Sequence, residues 1–359
     1  MPHFDLPKTS PLSFIFYSFS QYLIKQMISK FSFNHSSLLK VVFIFLFTSF
    51  TASAQTYYWN IWDSNQTGYN NADLQTPANW VEVSGTNPTT FTVPTTLNPN
   101  GVYIVDATIN GTRTPGNSII IIYLTGNISV GQFLITGNSE VKLRSRSVAS
   151  KITITGGASA AGDDFGIDYL SKLELSHYYP VAIEFSGDGN TGKIAGTYSV
   201  YNPGNIITTT GGTNTVVTVT GTGSVINSED SSDSALIGST STLFFDSGSD
   251  YKHTYFNINS GYIPLATWDE ASTITLVNNN NTSSHPATVI QNTSDQTFGN
   301  IIFELQSSQN TEFVQGTAVV KGNFTVNNST TNGSKFIPTK FGTLTIHGDL
   351  TVENNSKFE

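Results

Sequence analysis

The residues whose type and spacing could do chemistry are Asp163 and Asp164, which follow Gly162, and Asp168 four positions further on. Paired carboxyl groups are what glycoside hydrolysis requires: one protonates the leaving oxygen, the other acts as base or nucleophile. The same oxygens, or those of Glu229, Asp230 and Asp233, could surround a cation. Neither cluster has the spacing of an EF-hand or of a repeated calcium-binding nonapeptide. The histidines do not complete a site. His347, in Ile-His-Gly, occupies a position matched by Lys321 one repeat earlier, which marks a solvated side chain. His177 sits in Ser-His-Tyr-Tyr and reads as packed among aromatics, while His253 and His285 stand in unrelated contexts. The chain lacks G-x-S-x-G, H-E-x-x-H and P-loop patterns. With no cysteine there is no thiolate zinc site, thiol nucleophile or disulfide framework. Both acidic clusters therefore read as solvated polar loops. No catalytic, cofactor-binding or metal-binding residue is assigned, and no cofactor is implied.

Aromatic residues offer a binding chemistry instead. Tyr178, Tyr179, Tyr198 and Tyr201, if exposed, could stack on sugar rings while Asn and Thr supply hydrogen bonds; the competing reading packs them between structural repeats. Three of the four tryptophans, Trp59, Trp62 and Trp80, fall within residues 55–110. They read as a hydrophobic plug closing one end of a repetitive fold, with a sugar platform as the other possibility.

The elements that must position these groups are strands. Only 11% of the 359 residues are charged, against roughly 25% in an ordinary soluble domain, and 48 Thr and 33 Asn accompany 30 Gly. Long solvated helices need more Glu, Lys and Arg than this. A net charge of −9 with three Arg argues against a nucleic-acid surface. From about residue 117 onward, short alternating runs such as Gln132-Phe-Leu-Ile-Thr136, Lys151-Ile-Thr-Ile-Thr155 and Asn300-Ile-Ile-Phe-Glu-Leu305 are bounded by Gly, Asn, Ser or Asp. Tyr169–Leu175 is the one stretch with a helical look, short and weakly patterned.

A repeat appears near the end: Gly316-Thr-Ala-Val-Val-Lys-Gly-Asn-Phe-Thr-Val326 recurs as Gly342-Thr-Leu-Thr-Ile-His-Gly-Asp-Leu-Thr-Val352, 26 residues later. Such a unit cannot bury its apolar face alone and must stack on its neighbours. The expected fold is all-β, a right-handed parallel β-helix with an N-terminal Trp-rich cap over 55–115 and coils over 116–359. Tandem β-sandwiches are the alternative. Because Lys357-Phe358-Glu359 directly follows a strand pair, the expectation is also that a C-terminal region of the same polypeptide is missing.

Residues 1–54 read as a leader. Lys30 and Lys40 precede an apolar stretch of about ten residues beginning at Val41, too short for the roughly 20 a membrane span needs. Ala52-Ser53-Ala54 then forms a small-x-small cleavage site, with Met27 as the expected true start. The alternative is a retained anchor. Cleavage after Ala54 leaves a chain of 12 basic and 24 acidic residues without a transmembrane span, secreted or on the outer cell surface.

Taken together, the leader, the Tyr57-Tyr58-Trp59 start, Ala78-Asn79-Trp80, and the Gly-Asn-Phe-Thr-Val and Gly-Asp-Leu-Thr-Val coils resemble large secreted β-helical, adhesin-like proteins of Bacteroidetes-type bacteria. That resemblance implies an extended surface protein whose partners are glycans or cell-surface components. Gly162-Asp163-Asp164 also resembles part of the polygalacturonase motif set, but Asn-Thr-Asp, Gly-His-Gly and Arg-x-Lys are lacking. The expected function is non-catalytic and structural or adhesive; a carbohydrate-active β-helix lyase or hydrolase is the alternative.

Overall fold

Runs of four to six residues that alternate branched apolar with small polar side chains form strands, and none is long enough to make a sheet by folding back on itself. Apart from Trp80–Val83 and Phe91–Thr92, each pairs instead with the strand one coil away. The computed structural model describes residues 55–59, 72–83, 91–92, 94–108, 119–156, 162–176, 179–201, 206–209, 214–228, 235–255, 263–278, 287–288, 296–306, 311–314, 317–328, 335–339, 342–354 and 356–358.

Among the described residues the coils lay their strands on three faces. The first face carries Thr56–Trp59, Val102–Asp106, Gln132–Thr136, Phe165–Ile167, Thr191–Ile194, Val216–Val219, Leu243–Phe245 and Thr267–Trp268, all in parallel. At its N-terminal end Trp80–Val83 and Phe91–Thr92 are added antiparallel. The second face is an eleven-stranded parallel sheet running from Ala72–Asp73 to Leu350–Glu353. The third is five-stranded, from Ile128–Val130 to Leu236–Ile237. Later coils supply a four-stranded sheet from Ala287–Thr288 to Lys357–Phe358 and a three-stranded one from Gln296–Phe298 to Thr343–Ile346. The architecture is a β-solenoid, neither a closed barrel nor a pair of sandwiches. Among the described residues the only helical turn is Pro77–Asn79, and no helix is long and apolar enough to cross a membrane. The stretch with a helical look is a turn followed by the strand Lys172–Leu175.

Parallel register turns alternation into columns. On the second face Val141, Leu173, Tyr198, Val225, Tyr251 and Ile274 stack inward, one per coil, all fully buried. The 26-residue repeat is a pair of neighbouring coils: Thr317 pairs with Thr343, and Val326 with Val352. Its glycines serve close approach. A Cβ on Gly322 would overlap the Asn300 side chain, and one on Gly348 the Gly322 carbonyl. The freed space lets Asn300 Oδ1 accept from the Asn323 amide at 2.9 Å, and Asn323 Oδ1 from the Asp349 amide at 3.0 Å.

At the N-terminal end Trp59 and Trp80 are buried beside Tyr57, Tyr103 and Leu74. Trp80 meets Trp59 and Tyr103 edge to face, with ring centroids 5.0 and 4.9 Å away, and its Nε1 donates to the Leu74 carbonyl at 2.8 Å. The expected plug is thus built by Trp59 and Trp80; Trp62 lies outside the described residues.

Candidate functional site

Asp164 and Asp168 lie at coil corners, as do Asp246 and Asp269, and the corners explain them. Where the first face turns into the second, Asp168, Asp246 and Asp269 each open a four-residue turn closed by a serine amide. Ser171, Ser249 and Ser272 donate their N–H to these carbonyls at 2.9 to 3.0 Å. All three serines, and Ser139 at the equivalent place, are buried. Ser139, Ser249 and Ser272 also donate Oγ–H to the carbonyl three residues back at 2.6 Å. Aspartate suits the first position because its carboxylate can accept the amide two residues on. Asp269 does so from Ala271 at 2.9 Å, and Asp106 from Thr108 at 2.7 Å.

Asp164 belongs to a different corner, at the start of the strand Phe165–Ile167. Its Oδ2 accepts the Thr191 amide of the next coil at 2.9 Å, and Gln132 Nε2 of the preceding coil lies 3.5 Å from Oδ1. Asp168 sits beyond the far end of that strand. Three extended residues lie between them, so four steps set the two backbones about 13 Å apart, beyond the roughly 5–9.5 Å that separates the carboxyls of a glycosidase pair. Asp163, half-buried, adjoins Asp164. The structure therefore brings Asp163 and Asp164 to one corner and Asp168 to another. Among the described residues no three His, Asp or Glu side chains converge as metal ligands would. Glu229, Asp230, Asp233, His177, His285 and Tyr178 lie outside the described residues.

The tyrosines divide. Tyr198 is not a surface residue: it occupies an inward column of the second face, fully buried, and its hydroxyl donates to the Ala235 carbonyl at 3.2 Å. Burial holds its pKa well above the usual phenol value. Tyr179 and Tyr201 are 40% and 44% exposed and sit at the corner between the second and third faces in successive coils. At the same corner Arg146 lies over the Tyr123 ring at 4.7 Å. His347 and Lys321 are both exposed at one corner position, one coil apart. His253 is the opposite case, an imidazole inside the core between Asn227 and Leu276.

The corner pattern of Thr or Asp followed three residues later by Ser is the feature that sequence reasoning missed. It is written as Thr136-Gly-Asn-Ser139, Asp168-Tyr-Leu-Ser171, Asp246-Ser-Gly-Ser249 and Asp269-Glu-Ala-Ser272. One corner carries a mismatch. The third position has φ of 56° at Asn138 and 79° at Gly248, but 68° at Leu170, a residue poorly suited to the left-handed region. Leu170 is 57% exposed and contributes little packing. Leu170→Asn is therefore expected to stabilise the chain by about 1 kcal/mol, read as a higher urea midpoint; an unchanged or lower midpoint would show that this corner is unstrained.

Compared with models of known protein families, with curated proteins and with solved structures, the chain matches none.

Proposed function

We propose that this is an exported, non-catalytic structural or adhesive protein, a β-helical rod that presents a polar Thr- and Asn-rich surface to glycans or cell-surface components. The observation that carries this reading is the outer side of the second face. There, parallel register aligns Lys172, Thr197, Ser224, Asp250, Thr273 and Asn300 in one column. Thr275, Ile302, Thr325 and Thr351 align in the next. Hydroxyl, amide and amino groups repeated one coil apart, about 4.8 Å, suit many weak hydrogen bonds to an extended polar ligand better than one deep site. Tyr179 and Tyr201 add exposed rings on which a sugar could stack. The use of Asp106 and Asp269 in turn closure, and of Asp164 in a hydrogen bond to the next coil, supports a structural role for these acidic groups. The leader and the coil resemblance support export as an adhesin-like protein.

The test is expression in a bacterial host followed by fractionation and a solid-phase assay on immobilised polysaccharides. The expected result is an exported chain beginning at Gln55 that is retained on at least one acidic or plant-type glycan. Retention should fall severalfold in Tyr179→Ala/Tyr201→Ala, with no shortening of the glycan. Depolymerisation abolished by Asp163→Asn/Asp164→Asn would overturn the proposal in favour of a carbohydrate-active enzyme.

A further inference from the structure

Arginine is scarce in this chain of net charge −9, yet two of its three copies, Arg144 and Arg146, stand two residues apart. Arg144 faces outward on the strand Glu140–Ser145, and Arg146 opens the turn toward the third face. Register fixes their neighbours. Tyr123 pairs with Arg144 on the cap side. Beyond it the Ser176 amide donates to the Leu143 carbonyl and the Tyr201 amide to the Leu175 carbonyl, which carries the second-face pairing one residue past the strand ends. The column therefore reads Tyr123, Arg144, Ser176, Tyr201, one residue per coil at steps of about 4.8 Å. The Arg146 guanidinium lies over the Tyr123 ring at 4.7 Å. Its turn is fixed from beneath, where the hydroxyls of buried Ser145 and Ser150 donate to the Val148 carbonyl. Other basic groups nearby are paired: Lys142 with Glu174 at 2.9 Å and Lys151 with Glu184 at 2.8 Å. Arg144 differs. Among the described residues it meets no carboxylate, and its buried Nε and the buried Oγ of Ser176 have no hydrogen-bond partner. Buried polar atoms left in this state are uncommon, and two of them adjoin here.

We propose that this corner binds a polysaccharide whose sugar units carry carboxylates, a polyuronate chain laid along the rod axis from Tyr123 to Tyr201. The assignment rests on the glycan-binding reading of the rod and narrows it to one ligand class at one place. A guanidinium matches a carboxylate with two parallel N–H···O bonds, and Arg144 holds no carboxylate of its own. Exposed Tyr201 and Tyr179 offer ring faces to the apolar side of a sugar. The coil step of about 4.8 Å is close to the length of one sugar unit, so tyrosines and arginines along the column meet successive units of one chain. The acidic neighbours are already engaged. Asp73, which pairs with Tyr123 on the cap side, accepts the Gln75 amide at 3.0 Å, and Glu174 is held by Lys142. Two arginines are fewer than the basic cluster that an anionic bilayer requires, and fewer than the row of phosphate contacts that a nucleic acid requires.

Titration calorimetry with polygalacturonate tests this, run beside its fully methyl-esterified form, dextran sulfate and vesicles containing phosphatidylserine. The ester keeps the sugar rings and removes the charge. The expected result is binding of polygalacturonate that weakens with added salt and exceeds binding of the ester about tenfold. Arg144→Gln/Arg146→Gln should remove that difference, and Arg144→Lys/Arg146→Lys should restore only part of it, because an ammonium lacks the planar fork. Circular dichroism checks that each variant is folded, and the comparison of acid with ester needs no variant at all. Equal binding of acid and ester, lost in Tyr179→Ala/Tyr201→Ala, would overturn the carboxylate ligand and leave the glycan-binding reading standing. Absence of binding to every polysaccharide would overturn both. Dextran sulfate or vesicles bound as tightly as polygalacturonate would overturn the proposal in favour of a surface for anions in general.

Discussion

Replacing Trp80 by alanine is expected to cost about 4 kcal/mol and to unfold the solenoid from its N-terminal end. The side chain is fully buried, packs edge to face on Trp59 and Tyr103, and donates Nε1–H to the Leu74 carbonyl. Truncation removes a large apolar area, opens a cavity that three aromatic rings cannot collapse into, and frees a buried carbonyl. In a solenoid each coil is held by its neighbours, so the damage should begin locally. Hydrogen exchange should accelerate at Tyr57–Trp59 and Val102–Asp106, which stack directly on the cap, before it changes at Phe324–Asn328. Trp80→Phe keeps most of the packing and loses the hydrogen bond, and should cost about 1–2 kcal/mol. A loss below about 1 kcal/mol for the alanine variant, with unchanged exchange at Val102–Asp106, would mean that the end of the core is sealed by something other than this ring.

That the tryptophans close one end, and that strands stack in parallel coils, was legible because both signals are carried by many residues at once. The repeat at 316–352 is so close to register that Thr317/Thr343 and Val326/Val352 became actual strand partners. Elsewhere the period wanders: Val141 pairs with Ile120, twenty-one residues back, and with Leu173, thirty-two residues on. Insertions at corners absorb the difference, so no fixed offset reveals those coils. The serine corners escaped notice for that reason, since one Asp and one Ser three apart carry little signal until coils are aligned. Tyr198 stayed open between the two readings because tyrosine is at home both inside and outside. Only its position between Leu173 and Val225 in the inward column settles the matter. The Asp163, Asp164 and Asp168 trio was compact in sequence, but an intervening strand spreads it across one face of a single coil. Proximity in sequence implies proximity in space for a helix or a tight loop, not across an extended segment.

His253 gives the rod an acid weakness. It lies on the strand Asp250–Tyr255, fully buried, between Asn227 and Leu276 in an inward column, with Nδ1 3.3 Å from the hydroxyl of buried Tyr251. Burial lowers its pKa to about 4, whereas an unfolded chain would show about 6.5. Above pH 6.5 the imidazole is neutral in both states and the difference costs nothing. As pH falls below 6.5 the unfolded state takes up a proton that the folded state refuses, so stability drops by about 1.4 kcal/mol per pH unit. The loss reaches about 3 kcal/mol near pH 4 and then levels off, because the folded imidazole also protonates. Asp250 on the same strand acts in the opposite sense: burial raises its carboxyl pKa, so lowering the pH through that value relieves a penalty. The two are separated by His253→Leu, which leaves Asp250 in place. Between pH 7 and pH 4 the stability of the original chain should fall by about 3 kcal/mol relative to the variant, measured as urea midpoints at each pH. Parallel curves for the two proteins across that interval would show that the imidazole is not held neutral by the core. The expected divergence ties the acid sensitivity to one coil in the middle of the rod, where a single ionisation in a buried inward column weakens the stacking of the coils on either side.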